Sequence, residues 1–301
     1  MTTTWNRHNE GHAMDWTSST PYSRELGDEL RRFRETCTQH TGAGLAELLG
    51  WDASKVSTIE KGKARATDLD LAQYLTVCGK ARDTIDEFTR RYRRAFDLCF
   101  AQELGENRTL MLAERTADTI TGYSPMSVPD LLRTASYAEQ SLRLTGTSAD
   151  DIQSAVDSQL KRQAILYAHN RPDITFYVAE AAVRCQHFER NVARGQISHL
   201  IRTANILRII PTGSIALLSA AFTLYEYDKM PAVVFTETHV ANVFLQDKYS
   251  VGRCRSAFDV LDSAALNAPQ SRELLIQILD EEHPIQPESA IATDAPSEWV
   301  S

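Results

Sequence analysis

Asp52, Ser54, Lys55, Ser57, Thr58, Lys61, Lys63 and Arg65 lie within one short stretch, and their side chains suit contact with a nucleic acid. A lysine such as Lys55 can donate to a guanine edge, while Ser57 and Thr58 can read either groove edge or a thymine methyl. Lys61, Lys63 and Arg65 come later and suit phosphate, which positions a protein on DNA without reporting sequence. Asp52 suits a different task, accepting hydrogen bonds from the free backbone donors at the start of a helix.

A second set of titratable groups lies far downstream: Glu180, His187, His199, Glu226, Asp228, Glu237 and His239. By the period of two, Glu226 and Asp228 share one face of a strand, and Glu237 and His239 could do the same. Paired carboxylates can bind a cation or share a proton. The bland reading is that these are solvent-facing strand residues or line an effector pocket. The sequence has no glycine-rich phosphate loop, no nucleophile elbow and no His-x-x-x-His pair. Cys185 and His187 supply two metal ligands where a closed zinc site needs four. No cofactor and no metal is expected, and an enzyme built on the downstream half is kept as an alternative.

The elements that must position the first set are legible between Gly42 and Lys61, GAGLAELLGWDASKVSTIEK. Leu45 and Leu49 sit one turn apart on a core face. Ala46 is small where a second helix would cross, and Gly50 suits the reversal that ends the first helix. Val56 and Ile59 give the next helix an apolar stripe at i, i+3. Two short helices, a three-residue turn and these six residues in register read as a helix-turn-helix. Ser54, Lys55, Ser57, Thr58 and Lys61 then project from the outer face of its second helix. Leu26, Leu30 and Phe33 predict a helix upstream; Leu69, Ala72, Leu75 and Val77 predict closing helices downstream.

The stretch ELRRFRE…GLAELLGWDASKVSTIEKGKARAT resembles the Xre family, the DNA-binding domain type of phage Cro and C1 repressors. KVSTIEKG is similar to that family's recognition helix and its glycine stop at Gly62. The family usually opens the first helix of the motif with Thr-Gln, and this resemblance implies a phosphate contact from the glutamine. Here Gly42 follows Thr41, and Gly44 adds a second weak helix former. Further on, Y-x-P-x-x-V-P-x-L-L-x-T-x-x-Y-A over Tyr123–Ala138 resembles the start of the C-terminal domain of actinobacterial regulators described as antitoxin-like. That resemblance implies transcriptional regulation beside small partner proteins. This chain departs from it at Asp130-Leu131-Leu132-Arg133 and at Arg184-Cys185.

Charge agrees with a local DNA site. The chain has net charge −8. Residues 22–94 hold 14 Lys and Arg against 12 Asp and Glu, or +2, which leaves −10 elsewhere. Phosphate feels local charge within a Debye length of about 8 Å, but so small an excess predicts weak non-specific binding. Arg90, Arg91, Arg93 and Arg94 read first as a solvated helix face and second as further phosphate contacts. Five scattered cysteines suit a reducing compartment, no apolar run approaches a membrane span, and a cytoplasmic location is expected.

The predicted organisation is an N-terminal all-α helix-turn-helix domain plus a C-terminal α+β domain, a mixed class dominated by helix. Residues 1–21 read as a mobile arm, 22–80 as the DNA-binding domain, 81–122 as a helical linker, 123–282 as an α+β sensing or dimerisation domain and 283–301 as a disordered tail. Within this plan, 81–103 reads as one helix with Phe88, Tyr92, Phe96 and Phe100 on one side. Helices are expected near 149–169 and 247–266, and strands at 174–180, 204–210, 214–227 and 232–238. The expected function is a sequence-specific transcriptional regulator that binds double-stranded DNA as a homodimer. Its C-terminal domain would take a small effector or a small protein partner.

Overall fold

Thr20 opens the first helix with a capping box: its side chain accepts from the Ser23 backbone while the Ser23 side chain accepts from its own N–H. The computed structural model describes residues 19–105, 107–184, 187–214 and 218–282. The expected arm and tail fall almost wholly outside them. α1 (Pro21–Cys37) buries Leu26 and Leu30 along one stripe. α2 (Gly42–Leu49) ends at Gly50 with φ +67°, the left-handed turn expected there. α3 (Ala53–Glu60) follows, capped by Asp52. α4 (Asp68–Val77) starts with a second capping box, between Thr67 and Asp70, and α5 (Arg82–Tyr92) closes this all-helical segment.

The rest alternates short strands with helices. In chain order it runs β1 (Cys99–Gln102), α6 (Arg108–Thr116), β2 (Thr119–Ser124), α7 (Ala135–Leu144), α8 (Ala149–Gln163), β3 (Asp173–Ala179), α9 (Glu180–Val183), α10 (Arg190–Arg202) and β4 (Leu207–Ile210). It ends with β5 (Phe222–Glu226), β6 (Val233–Glu237), β7 (Asn242–Leu245), α11 (Lys248–Ala264) and α12 (Ala268–Glu282). The class is therefore the expected mixture, with helix dominant.

Several expected elements are corrected. The single helix over 81–103 stops at Tyr92, and Phe100 lies in β1. Residues 81–122 are not purely helical, since they hold β1 and most of β2. The strand expected at 204–210 begins as a 3-10 turn over Ala204–Ile206, and among the described residues of 214–227 only Phe222–Glu226 form a strand. β7 and α12 were not foreseen. Leu69 is 67% exposed, whereas Leu71, Tyr74 and Leu75 form the core face of α4. The Thr67 cap sets this phase, leaving Leu69 in the first turn on the solvent side.

By its packing the chain divides into two compact units, residues 1–119 with 224–254, and 120–223 with 255–301. In the first, strands run in the order β1-β7-β6-β5. β7 is antiparallel to both β1 and β6, pairing Phe244 with Phe100 and with Phe235. Phe100 stacks on Phe244 at 4.8 Å and on Tyr22 of α1 at 5.2 Å. Phe88 and Tyr92 stack at 6.0 Å and are almost fully buried. Phe88, Tyr92 and Phe100, read as one stripe of a single helix, are thus core of their own chain.

In the second unit the order is β2-β3-β4. β3 and β4 are parallel, with Phe176 opposite Leu207, and α10 lies in the crossover that parallel strands require. A Cβ on Gly122 would stand 2.7 Å from the Phe176 ring, so β2 needs glycine there. Leu266 N–H donates to Ile209 O at 2.8 Å, and Ile209 N–H donates to Ser271 Oγ at 2.9 Å. These bonds satisfy backbone groups on β4 that its pairing with β3 leaves over.

Candidate nucleic-acid interface

α3 is held by its inner face. Val56 and Ile59 are 1% and 2% exposed, and Glu60 beside them is anchored by charge. Arg34 of α1 donates from Nε to Glu60 Oε1 at 2.7 Å and from Nη2 to Oε2 at 2.9 Å. The Tyr74 hydroxyl of α4 lies 2.7 Å from Glu60 Oε1 and 3.1 Å from Leu30 O. Burial pushes the Tyr74 hydroxyl far above its ordinary range, and the neighbouring carboxylate adds to the rise. The bond to Glu60 likewise raises the Arg34 guanidinium above its ordinary value.

Close backbone approach completes the joint. A Cβ on Gly27 would meet Glu60 O at 2.6 Å and Ile59 O at 2.8 Å. Gly62 has φ +62°, and a Cβ there would meet Ser23 O at 2.3 Å. Ser23 Oγ donates to Gly62 O at 2.7 Å, which ties the end of α3 to α1.

At about 100° per residue, the buried Val56, Ile59 and Glu60 place Ser54, Ser57, Thr58 and Lys61 on the opposite side of α3. Ser54 and Lys61 are exposed, and Ser57 and Thr58 half-buried. The Thr58 hydroxyl donates to Ser54 O at 2.9 Å or Lys55 O at 3.0 Å, which leaves its lone pairs and methyl group for a ligand. Asp52 Oδ1 accepts from Ser54 N–H at 2.7 Å, and its bonds with Ser54 hold the carboxyl below its ordinary range. Lys55, expected on that outer face, is corrected to the flank: its Nζ is 2.6 Å from Asp70 Oδ1 and 4.1 Å from the centre of the Trp51 ring. Lys63 and Arg65 are exposed past the helix end, with Arg65 over the Phe96 ring at 5.1 Å.

A concave surface of about 220 Å³ lies beside this face, lined by Arg31, Gly42, Ala43, Ala53, Ser57 and Lys61 among others. Neither glycine of α2 is forced by packing. A Cβ on Gly42 would find Val56 Cγ1 at 3.8 Å, and one on Gly44 would find Thr41 Oγ1 at 3.5 Å, both ordinary contacts. Thr41 still caps α2, accepting from Gly44 N–H at 3.1 Å.

The four arginines at the end of α5 and just after it lie near carboxylates of the same chain. Arg91 pairs with Glu29 of α1, and Arg93 with Asp68 at 2.8 Å. Arg90 and Arg94 lie 3.9 Å from Glu87 and Asp97.

The downstream titratable groups are spread over several elements and turns. Glu180 begins α9, where Oε2 accepts from Thr212 N–H at 2.8 Å and Oε1 from Arg184 Nε at 2.7 Å. Burial would raise this carboxyl, but those donors hold it below its ordinary value. His187 is exposed on a turn. β5 ends at Glu226 and β6 at Glu237, so Asp228 and His239 lie on turns and the expected shared strand faces are corrected. His199 is partly buried in α10, and burial lowers its imidazole. Cys185 and Gln186 lie outside the described residues. Among those described, no group of three or more His, Cys, Asp or Glu could hold a metal ion.

The motif Tyr123–Ala138 is architectural. Tyr123, Val128, Leu131, Leu132, Tyr137 and Ala138 are buried, and Thr134 caps α7. Gln196 of α10 clamps it: Oε1 accepts from Thr134 N–H and Nε2 donates to Leu132 O, both at 2.7 Å. A void lined by Val128, Tyr137, Phe188, Gln196 and others measures about 10 Å³, roughly the minimum for one water molecule.

Arg34, Glu60, Tyr74, Gly27, Trp51 and Asp70 were missed from sequence. One signal was present. Arg34 continues the apolar series Leu26, Leu30 at i+4, and a charge on such a stripe asks for a buried partner.

Comparison with protein families agrees with the geometry. Residues 25–88 match a helix-turn-helix domain. Residues 107–277, more than half of the chain, match a domain of unknown function, DUF5753, and the chain belongs to that family. No curated protein and no solved structure is significantly similar to it. The helix-turn-helix domain supports DNA binding and transcription regulation, with DNA as the partner. No described helix is long and apolar enough to cross a membrane.

Proposed function

We propose that this DUF5753-family chain is a sequence-specific transcriptional regulator of the Xre type, which docks α3 in the major groove of double-stranded DNA. The observation that carries the reading is the division of α3 into two faces. The inner face is locked by Arg34, Glu60, Tyr74 and the Gly27 contact. The outer face offers Ser54, Ser57, Thr58 and Lys61. A rigid helix that turns a polar face outward is what base readout needs. Lys61, Lys63 and Arg65 are the proposed phosphate contacts.

One such helix covers only a few base pairs, so we further propose a two-fold dimer on half-sites about 34 Å apart. Its contacts would come from the region beyond residue 81, with 123–282 as the sensing or dimerisation part. Selection from a random DNA pool should return a palindromic motif, and light scattering should show a dimer on the selected duplex. A pool that stays unenriched would sink the regulator reading; a monomer on the enriched site would sink only the dimer.

A further inference from the structure

Asp70 and Trp51 face Lys55 from two elements and leave its ammonium little freedom. Asp70 is fixed before Lys55 reaches it. Its Oδ2 accepts from Thr67 N–H at 3.0 Å, and its own N–H donates to Thr67 Oγ1 at 3.1 Å, so the start of α4 sets the carboxylate's position. Oδ1 is then left for Lys55 Nζ, 2.6 Å away. The Trp51 ring, from the turn between α2 and α3, covers the same ammonium at 4.1 Å. Asp70 keeps 13% of its side chain exposed and Lys55 39%, so the pair is partly screened from solvent by protein. Burial would raise Asp70, but Lys55 and Thr67 more than offset it and keep it ionised.

An ammonium on the flank of a groove-binding helix would otherwise be a sequence-independent phosphate ligand. Resting on the DNA-binding reading, we propose that Asp70 is a specificity-setting residue: with Trp51 it holds Lys55 off the DNA backbone and so widens the gap between operator and random DNA. The consequence is a domain that discriminates through the hydroxyl-rich face of α3, with one less cation adding to affinity for every sequence.

The test is binding of the full chain to a selected operator and to a scrambled duplex across a salt series. Asp70→Asn keeps an acceptor for Thr67 N–H but removes the charge. It should steepen the salt dependence on scrambled DNA by about 0.9 in log–log slope, tighten that binding about eightfold at 0.1 M salt and narrow the operator preference. Lys55→Met in the wild-type background should leave scrambled binding within about twofold, and in the Asp70→Asn background it should abolish the gain. Asp70→Glu should retain most of the operator preference. An unchanged slope in Asp70→Asn overturns the proposal, as does a slope shallower by about one in Lys55→Met alone, since Lys55 would then already touch phosphate. A wild-type chain that binds neither duplex overturns the DNA reading together with this one; the other outcomes bear on Asp70 alone.

Discussion

The segment around α3 and the segment leading into α7 are each pinned by one buried polar side chain, yet Glu60 is charged and Gln196 neutral. Glu60 gathers a guanidinium and a phenol from two other helices. Gln196 takes one backbone donor and one backbone acceptor from a single neighbouring stretch. A charged clamp is strong only while complete, because losing one partner strands a desolvated charge. An amide clamp fails more gently, since each orphaned group is neutral. The face proposed to meet DNA therefore rests on the more brittle joint.

The largest expected effect follows from breaking that joint. Glu60→Ala leaves Arg34, 10% exposed, with only Glu35 at 3.5 Å and the His40 carbonyl at 3.3 Å in place of its bidentate partner, and should cost about 3 kcal/mol in urea unfolding. Operator binding should weaken further than stability explains, because α3 loses its anchor to α1 and α4. A loss below about 1 kcal/mol would show that the network is ornamental.

Gln196→Ala should cost less, about 2 kcal/mol, from the orphaned Leu132 carbonyl and Thr134 N–H. This loss should not change with salt, and operator contacts by α3 should survive it in the folded protein. A cost equal to that of Glu60→Ala would erase the distinction between the clamps.

A charged contact also lies near the amide clamp, and pH exposes it. Burial would raise Asp130, but Arg133 and Arg162 hold it below its ordinary value. A carboxyl depressed on folding contributes stability above its unfolded pKa of about 3.9, and that stability is lost as pH falls through the folded value. Unfolding of wild type and Asp130→Asn should therefore differ near neutral pH and converge as the medium becomes strongly acidic. A difference that persists unchanged in acid would assign the effect to packing.

The smallest expected change is a gain. Gly44→Ala meets only an ordinary contact at 3.5 Å and should stabilise α2 by about 0.5–1 kcal/mol. A thermal melt that moves downward would show that the glycine serves packing after all.

The helical segment was more legible than the strands for a physical reason. Its cap at Asp52 and its turn at Gly50 act over three or four residues, so local spacing in the sequence reveals them, whereas the Thr67 cap was not read and Leu69 was placed on the wrong face of α4. β1 illustrates the opposite case. Read alone, Cys99–Gln102 continues the aromatic period of α5; it becomes a strand by pairing with β7, more than a hundred residues later. Phe100 alternated correctly for either structure, and its partner Phe244 decided between them. The downstream carboxylates misled in the same way, because strand ends at Glu226 and Glu237 are set by pairing and not by composition.

By itself, the sequence determined the helix-turn-helix, its glycine turn, its cap and four of the five residues read on its outer face (Ser54, Ser57, Thr58 and Lys61), all properties of neighbours along the chain. Tertiary structure decided which charges remain available to a ligand. Arg91 and Lys55 have the same solvated chemistry on paper, yet Glu29 and Asp70 reach them from other helices and take up their charge. Charge is a local property of a residue, but its availability depends on whatever the fold brings within a few ångströms.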